Sequence, residues 1–197
     1  MRANRGSLTT TGVRVTTKSL LSFEEYAALQ EPPGERWELS KGELIVTPSG
    51  SPRHNEIRDR VNVQLRTFPN IGKHGNVYCE TDMKLAVDVV RRPDVAFFRA
   101  GRLDGVDLDQ VPMPVAPDLA IEIVSRNDRA DDLMQKVSQY LHAGAQAVWL
   151  MYPRTGLAYR YGANKREPEV RAVETGDAFA EPELIPGFSM LLSEIFV

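Results

Sequence analysis

Several features that would assign a chain to a particular class of protein are rare in this sequence. Cys79 is its only cysteine, which excludes a disulfide within the chain and indicates a reducing compartment. No apolar run is long enough to cross a membrane, and no basic start is followed by the apolar segment of a secretion signal. We therefore expect a cytoplasmic protein with no membrane partner.

A large excess of one charge is also lacking. The sequence has 24 Lys and Arg against 27 Asp and Glu, a formal net charge of −3, so the chain as a whole does not attract nucleic acid. Any site for a polyanion must then be a local basic patch. The composition, 42% apolar and 26% charged over 197 residues, is typical of one globular domain with a real core.

Residues 1–17 differ from the rest of the chain. They are basic, rich in Ser and Thr, and without apolar periodicity, which predicts a disordered tail. The remaining residues, 18–197, show no domain linker and no internal repeat. We expect them to form a single domain.

Apolar patterns along residues 18–197 predict helices and strands in mixed order. The pattern from Ser22 to Glu25 is typical of a capped helix start, and apolar residues at a four-residue spacing predict a longer helix over 53–68. The end of the chain, 181–196, is predicted to lie over the surface. The predicted strands are 36–39 and 42–46, which form a hairpin, 77–79, 83–87, 95–98, 119–124, 147–151 and 157–161. This order favours an α/β (α+β) fold, a mixed β-sheet flanked by helices.

One predicted strand carries a carboxylate inside an apolar run. Glu122 lies between two isoleucines, and an ionised carboxylate in a buried strand needs a cation or strong hydrogen bonds. The next segment has apolar residues at the spacing of a helix, with Asn127 or Asp128 as its expected cap. Lys136 lies beside the apolar face of that helix. Glu122 and Lys136 could therefore converge on one point.

A second carboxylate, Asp94, stands at the edge of the predicted strand 95–98. Carboxylate oxygens are the ligands that Mg²⁺ prefers, usually one or two per ion, with water and substrate phosphate completing the shell. A nearby lysine can orient a water or hold an anionic oxygen during hydrolysis. Asp94, Glu122 and Lys136 are thus a candidate site for hydrolysis of phosphodiesters with Mg²⁺ or Mn²⁺. Two alternatives stay open: a surface ion pair of Asp132 with Lys136, and buried acids that serve only structural ion pairs.

Six ordered segments together resemble one family. They are WELSKGEL at 37–44, PSGSPRH at 48–54, RPDV at 92–95, APDLAIEIVS at 116–125, DLMQK at 132–136, and YLHAGA at 140–145 leading into VWL at 148–150. With these segments the chain resembles the Uma2 family, a branch of the PD-(D/E)XK superfamily of restriction-endonuclease-like proteins. The similarity covers residues 20–197. It implies a mixed sheet flanked by helices, with the metal-binding acids on adjacent central strands.

The resemblance also implies roles for individual residues. Asp94 matches the family's first acid and Glu122 its second, so these two would hold Mg²⁺ or Mn²⁺. In the common form of the superfamily a lysine follows the second acid by two residues, where this chain has Val124. The resemblance gives that role to Lys136 of the next helix. Glu38 resembles a further acid of the family, in the first hairpin.

Two of these candidates also have a purely structural alternative. In the first, the Glu38 carboxylate forms an ion pair with Lys41 or Arg36 across the hairpin. In the second, His54, which resembles the histidine that opens the family's next helix, only caps or packs the start of a helix. Asp118 is expected at a strand edge and not as a metal ligand.

The activity implied by the resemblance is that of a Mg²⁺- or Mn²⁺-dependent endonuclease whose partner is nucleic acid, with DNA as the expected substrate. The superfamily often works as dimers, which leaves a homodimer open. The alternative is a non-catalytic module that retains the nuclease fold and serves nucleic-acid binding or another interaction. The basic residues that could form a local phosphate-contacting patch are Arg53, Arg58, Arg91, Arg92, Arg126 and Arg129.

Overall fold

The computed structural model describes residues 20–196, so the tail predicted for residues 1–17 lies outside the described residues. The helices are α1 (Phe23–Ala27), α2 (Pro52–Thr67), α3 (Ile71–His74), α4 (Ala130–His142) and α5 (Leu192–Ile195). The strands are β1 (Glu35–Ser40), β2 (Glu43–Pro48), β3 (Gly75–Cys79), β4 (Met83–Ala86), β5 (Val89–Arg91), β6 (Val95–Arg99), β7 (Leu119–Ile123), β8 (Ala147–Tyr152), β9 (Leu157–Gly162), β10 (Glu169–Ala172), β11 (Ala178–Phe179) and β12 (Met190–Leu191). Within residues 20–196, no helix combines the length and the apolar character needed to cross a membrane.

The larger sheet has six strands in the order β10-β9-β8-β7-β6-β3. Its central pair, β7 and β8, is parallel, and the other neighbouring strands are antiparallel. A parallel pair needs a crossover connection, and α4 is the helix within it. The apolar side chains of α2 pack on one face of this sheet and those of α4 on the other. The predicted mixed sheet flanked by helices is therefore confirmed.

Alternation along β7 explains why Glu122 faces α4. All five residues of this strand are buried, and successive side chains point to opposite faces of the sheet. Leu119, Ile121 and Ile123 pack in the core beneath α2, whereas Ala120 packs in the core beneath α4. Glu122 shares the face of Ala120, so its carboxylate points toward the helix that follows β7.

A smaller antiparallel sheet has the strand order β2-β1-β5-β4. Its first two strands form the predicted hairpin, with Glu35 opposite Pro48 and Ser40 opposite Glu43. The turn needs a backbone with positive φ, which Gly42 adopts at no steric cost. Strand β5 was not predicted, because a three-residue strand is too short to show alternation. This sheet matters for the site because its strands carry further charged residues beside β7.

Helix α4 begins later than the sequence suggested. Arg129 occupies its cap position without a side-chain hydrogen bond, so the prediction that Asn127 or Asp128 caps the helix was wrong. Asp128 Oδ2 instead accepts a hydrogen bond of 2.7 Å from the Ser125 N–H. Short polar side chains form such local turns in competition with helix caps. Asp128, which the sequence suggested as a cap of α4, thus closes the turn between β7 and α4 instead.

The prediction that residues 181–196 lie over the surface was wrong as well. Ile185 and Leu192 are fully buried in the core beneath α2, and β12 pairs with β11. The buried carboxylate of Glu181 holds the start of the segment by accepting hydrogen bonds from Arg160. Short apolar runs broken by proline and glycine have no periodicity, so the sequence pattern did not reveal this packing.

Candidate active site

A cleft of about 850 Å³ opens between the smaller sheet and the end of β7. Strands β1 and β2, the start of α2, the turn after β7 and the first half of α4 contribute its walls. All five residues that the sequence suggested for a site line this cleft. They are Glu38, His54, Asp94, Glu122 and Lys136.

Asp94 and Glu122 lie side by side because of the pairing of their strands. β6 and β7 are antiparallel, and Val95 of β6 lies opposite Ile121 of β7. The residue before Val95 is therefore next to the residue after Ile121. A hydrogen bond of 2.7 Å from the Ile123 N–H to Asp94 Oδ2 fixes this arrangement.

The carboxylate of Asp94 is buried and is held by two basic side chains. Its Oδ1 accepts a hydrogen bond of 3.1 Å from Arg36 Nη1, and its Oδ2 lies 3.3 Å from His54 Nε2. Burial by itself raises the pKa of Asp94, but the hydrogen bond and charge of His54 and the charge of Arg36 lower this pKa to about 2. Asp94 is therefore ionised at neutral pH.

His54 stands in the first turn of α2 and packs against Asp94. Burial lowers the pKa of His54, but the hydrogen bond to Asp94 and the charge of Asp94 outweigh burial and raise it overall. Its Nδ1 is buried and has no hydrogen-bond partner among residues 20–196. The interpretation of His54 as a helix cap was wrong, because Ser51 is the cap and its Oγ accepts the His54 N–H. The ring faces the acids of the cleft.

Glu122 is buried between a phenol and an ammonium group. Its Oε1 accepts a hydrogen bond of 2.8 Å from Tyr140 Oη, and its Oε2 accepts one of 3.2 Å from Lys136 Nζ. Burial is the main cause that raises the pKa of Glu122 to about 7, and the negative charges of Asp94 and Glu38 raise it further against the opposing effect of Lys136. This carboxyl group therefore changes its charge near neutral pH.

Lys136 bridges two of the acids. Its Nζ is 3.2 Å from Glu122 Oε2 and also 3.2 Å from Glu38 Oε2. Burial lowers the pKa of Lys136, but the charges of Glu122 and Glu38 raise it overall, so the amine stays protonated. The interpretation of Lys136 as a residue of a surface pair is wrong, because its ammonium group lies among the buried acids.

Glu38 has different partners from those considered in the sequence. Its Oε2 lies 3.1 Å from Arg91 Nη1, and its Oε1 accepts a hydrogen bond of 2.8 Å from the Arg92 N–H. Burial raises the pKa of Glu38, but the charges of Lys136 and Arg91 outweigh burial and lower it to about 2. The alternative that Glu38 pairs with Lys41 or Arg36 across the hairpin was wrong, because its cationic partners are Arg91 of β5 and Lys136 of α4.

The six arginines suggested for a phosphate-contacting patch separate into two groups. Three are exposed at the mouth of the cleft, and Arg154, which was not predicted, joins them there. We call these four residues the arginine rim: Arg53, Arg126, Arg129 and Arg154. The other three are engaged by protein side chains within or outside the cleft: Arg58, Arg91 and Arg92.

Two residues that contact the acids were not predicted for the site. Arg36 lies two positions before Glu38, so both side chains are on the same face of β1. Tyr140 lies four positions after Lys136, which puts both on the same face of α4. Strand alternation and helix spacing could therefore have indicated both residues. The sequence pattern presented Tyr140 only as part of an apolar face.

Asp118 lies away from this cluster. It precedes β7, whereas Glu122 is near the end of the strand, so about 13 Å of extended chain separates them. Its buried Oδ1 accepts a hydrogen bond of 2.9 Å from Arg99 Nε. Asp118 thus ties the start of β7 to the end of β6, at the opposite end of these strands from Asp94 and Glu122.

The donor set of the cleft limits how a metal ion could be held. Among residues 20–196, no three His, Cys, Asp or Glu side chains are grouped closely enough to ligate one ion. Asp94 and Glu122 are two adjacent carboxylates, and Mg²⁺ is usually bound by one or two carboxylates together with water and substrate phosphate. The neighbouring acids that raise the pKa of Glu122 would also favour a cation at this place. The two carboxylates therefore fit a hydrated Mg²⁺ or Mn²⁺.

Comparisons with known proteins match the sequence to a family model and the fold to a solved structure. Residues 23–193 match the model of the Uma2 family, which has the description "Putative restriction endonuclease". A solved structure described as that of "a putative nuclease belonging to DUF820 from Anabaena variabilis ATCC 29413" superimposes with a TM-score of 0.78. It is 20% identical, and the alignment covers 89% of this chain and 97% of that chain, so the likeness concerns the fold. None of the curated proteins compared with the chain matches it.

Proposed function

We propose, since the chain belongs to the Uma2 family, that it is a nuclease that uses Mg²⁺ or Mn²⁺ to hydrolyse phosphodiester bonds in DNA. The observation that carries this proposal is the juxtaposition of two carboxylates and an ammonium group in one cleft. Asp94 and Glu122 are neighbours across β6 and β7, and Lys136 Nζ lies 3.2 Å from Glu122.

In this proposal Asp94 and Glu122 hold the metal ion. A bound divalent ion would polarise the scissile phosphate and lower the pKa of a water molecule. Asp94 is ready for this role because it is already ionised at neutral pH. Glu122 would lose its proton on binding, since a nearby cation favours the ionised carboxylate.

Lys136 would stabilise negative charge or orient water beside the phosphate. An ammonium group has three N–H donors, of which one makes the hydrogen bond to Glu122, while the contact with Glu38 is an ion pair. A remaining donor can serve a substrate oxygen or a water molecule. Donors that are held in place before the reaction stabilise developing charge most effectively.

The arginine rim would hold the DNA backbone. Arg53, Arg126, Arg129 and Arg154 are exposed at the mouth of the cleft. Phosphate contacts from arginine position a duplex without reading its sequence. This local patch resolves the conflict between a polyanionic substrate and a net charge of −3.

The proposal is tested by incubation of supercoiled plasmid DNA with the protein and Mg²⁺ or Mn²⁺, with a chelator in a parallel reaction. We expect cleavage that requires the metal ion and that disappears in Asp94→Asn and Glu122→Gln. Lys136→Met should slow cleavage by about 100- to 1,000-fold, the usual effect of removing one preorganised donor. Full activity in the Glu122→Gln variant would refute the assignment.

Asp131→Asn is the matched control for the acid variants. Asp131 is an exposed acid in the first turn of α4 and does not line the cleft. Its replacement removes the same charge without touching Asp94, Glu122 or Lys136. We expect this variant to cleave DNA at the rate of the unmodified protein.

One observation favours a non-catalytic module as the second candidate function. Each oxygen of Asp94, Glu122 and Glu38 already has a donor within the protein, so the cluster is balanced without a metal ion. Such a module should show no increase in unfolding temperature with Mn²⁺, with or without a DNA duplex. A shift that is present in the unmodified protein and lost in Glu122→Gln would favour the nuclease.

A further inference from the structure

The arginines near the three acids differ in how fully the protein uses their donors. Arg91 is only 2% exposed, and each of its three nitrogens donates to a side chain of the protein. Arg92 likewise uses all three nitrogens, on the carboxylates of Glu31 and Asp82. These bonds use three of the five N–H donors of Arg91 and four of the five of Arg92, and they engage every nitrogen. Both therefore serve the protein's own structure.

Arg36 is different because its guanidinium lines the cleft and is only partly engaged. Nη1 donates to Asp94 Oδ1 and Nη2 donates to the Arg92 carbonyl, each at 3.1 Å. Within residues 20–196, its Nε donates no hydrogen bond. Arginine carries five N–H donors, and these two bonds use two of them. The carbonyl of Arg92 is a neutral acceptor that holds Nη2 of the Arg36 guanidinium in place.

Asp94 keeps two of its three partners without Arg36, although Arg36 is the donor to its Oδ1. Its Oδ2 accepts from the Ile123 N–H at 2.7 Å and lies 3.3 Å from His54 Nε2. Arg36 also has a second acid close by, since its Nη1 is 3.6 Å from Glu80 Oε1. The bond between Arg36 and Asp94 can therefore break without leaving either charge alone.

We propose that Arg36 binds the phosphate of the substrate, with a phosphate oxygen replacing Asp94 Oδ1 as the acceptor of its Nη1. This inference rests on the proposed function, because it assumes a phosphodiester in the cleft beside Asp94. Each terminal nitrogen of a guanidinium carries two N–H groups, so Nη1 can donate a charge-assisted hydrogen bond to a phosphate oxygen while Nη2 stays on the Arg92 carbonyl. The Arg92 carbonyl keeps the side chain in the cleft during the exchange. Arg36 thus lies deeper than the arginine rim and contacts a different phosphate, the one next to the acids.

The test measures binding of a fluorescent DNA duplex by anisotropy between about 50 and 200 mM salt, a range over which phosphate contacts change affinity strongly. Ca²⁺ replaces Mg²⁺, and a gel checks that the strands stay intact. We expect Arg36→Gln to bind about tenfold more weakly, as for loss of one charge-assisted hydrogen bond. The slope of log affinity against log salt should fall by about 0.9, the value for one phosphate contact. Arg36→Lys keeps the charge and should keep the slope.

Arg58→Gln is the matched control, because Arg58 also pairs with Glu80 but does not line the cleft. Its slope should equal that of the unmodified protein. If Arg36→Gln lowers the unfolding temperature and keeps the slope, Arg36 only holds Asp94, and this inference is wrong while the proposed function stands. If the unmodified protein neither binds nor cleaves DNA, the inference and the proposed function are both wrong.

Discussion

Replacement of Glu122 by glutamine should stabilise the protein more at pH 8 than at pH 5. Glutamine has the shape of the protonated carboxyl group and still accepts the hydrogen bond from Tyr140. Lys136 keeps Glu38 as its partner in this variant. The change therefore removes the buried charge, and the new Nε2 amide faces the Lys136 ammonium at both pH values, so this contact cancels in the difference between them.

The sign and size of this effect follow from the pKa of Glu122. Folding raises this pKa from the ordinary 4.5 to about 7, so folding favours the protonated group. The stabilisation is complete below pH 4.5 and is lost as the pH rises through 7. The full loss corresponds to about 3 kcal/mol, of which about 2 kcal/mol lies between pH 5 and pH 8.

Urea unfolding at pH 5 and pH 8, with a chelator present, measures this difference. We expect the free energy of unfolding of Glu122→Gln, relative to the unmodified protein, to be about 2 kcal/mol higher at pH 8 than at pH 5. Glu167→Gln, a change at an exposed glutamate, should give the same relative value at both pH values. An equal difference at both pH values for Glu122→Gln would refute the argument that burial holds the proton on this residue.

Three further changes test the surroundings of the site and the core by urea unfolding. Tyr140→Phe removes the donor to Glu122 Oε1 and should cost about 1–3 kcal/mol at pH 8 and less at pH 5, where the carboxyl group is protonated. Arg91→Met leaves Glu38 with one cation fewer and should cost about 3–5 kcal/mol. The pKa of Glu38 is lowered by folding, so this cost should be present at pH 7 and shrink as the pH falls from 4.5 toward 2. Ile185→Ala should cost about 2–5 kcal/mol if the C-terminal segment is core, and a cost below 1 kcal/mol would contradict that packing.

The part of the site that could be predicted from sequence is the part made by neighbouring residues. Glu122 and Lys136 belong to one strand, turn and helix, so their approach follows from alternation in the strand and from helix spacing. Asp94 joined the candidate site because it is a carboxylate at the edge of a predicted strand, and only the family resemblance placed it on a strand adjacent to that of Glu122. The physical cause of this adjacency is the register of β6 against β7, which no local pattern reveals.

What escaped prediction depends on distant contacts. The sequence suggested Arg91 for a phosphate-contacting patch, but β5 pairs with β1, and the buried Arg91 side chain donates to Glu38. The last residues of the described chain looked like a surface tail because their apolar side chains follow no regular period. Both errors concern segments whose burial is decided by the partner strand or sheet face and not by their own sequence.

The ion pairs of the cleft also join the two sheets. Glu38 belongs to the smaller sheet, whereas Lys136 belongs to the helix packed on the larger one. Any opening of the cleft that separates the sheets must pull these charges apart, and protonation or cation binding among the acids changes the force that resists it. The width of the cleft and its charge state are therefore mechanically linked, so a ligand that alters one alters the other.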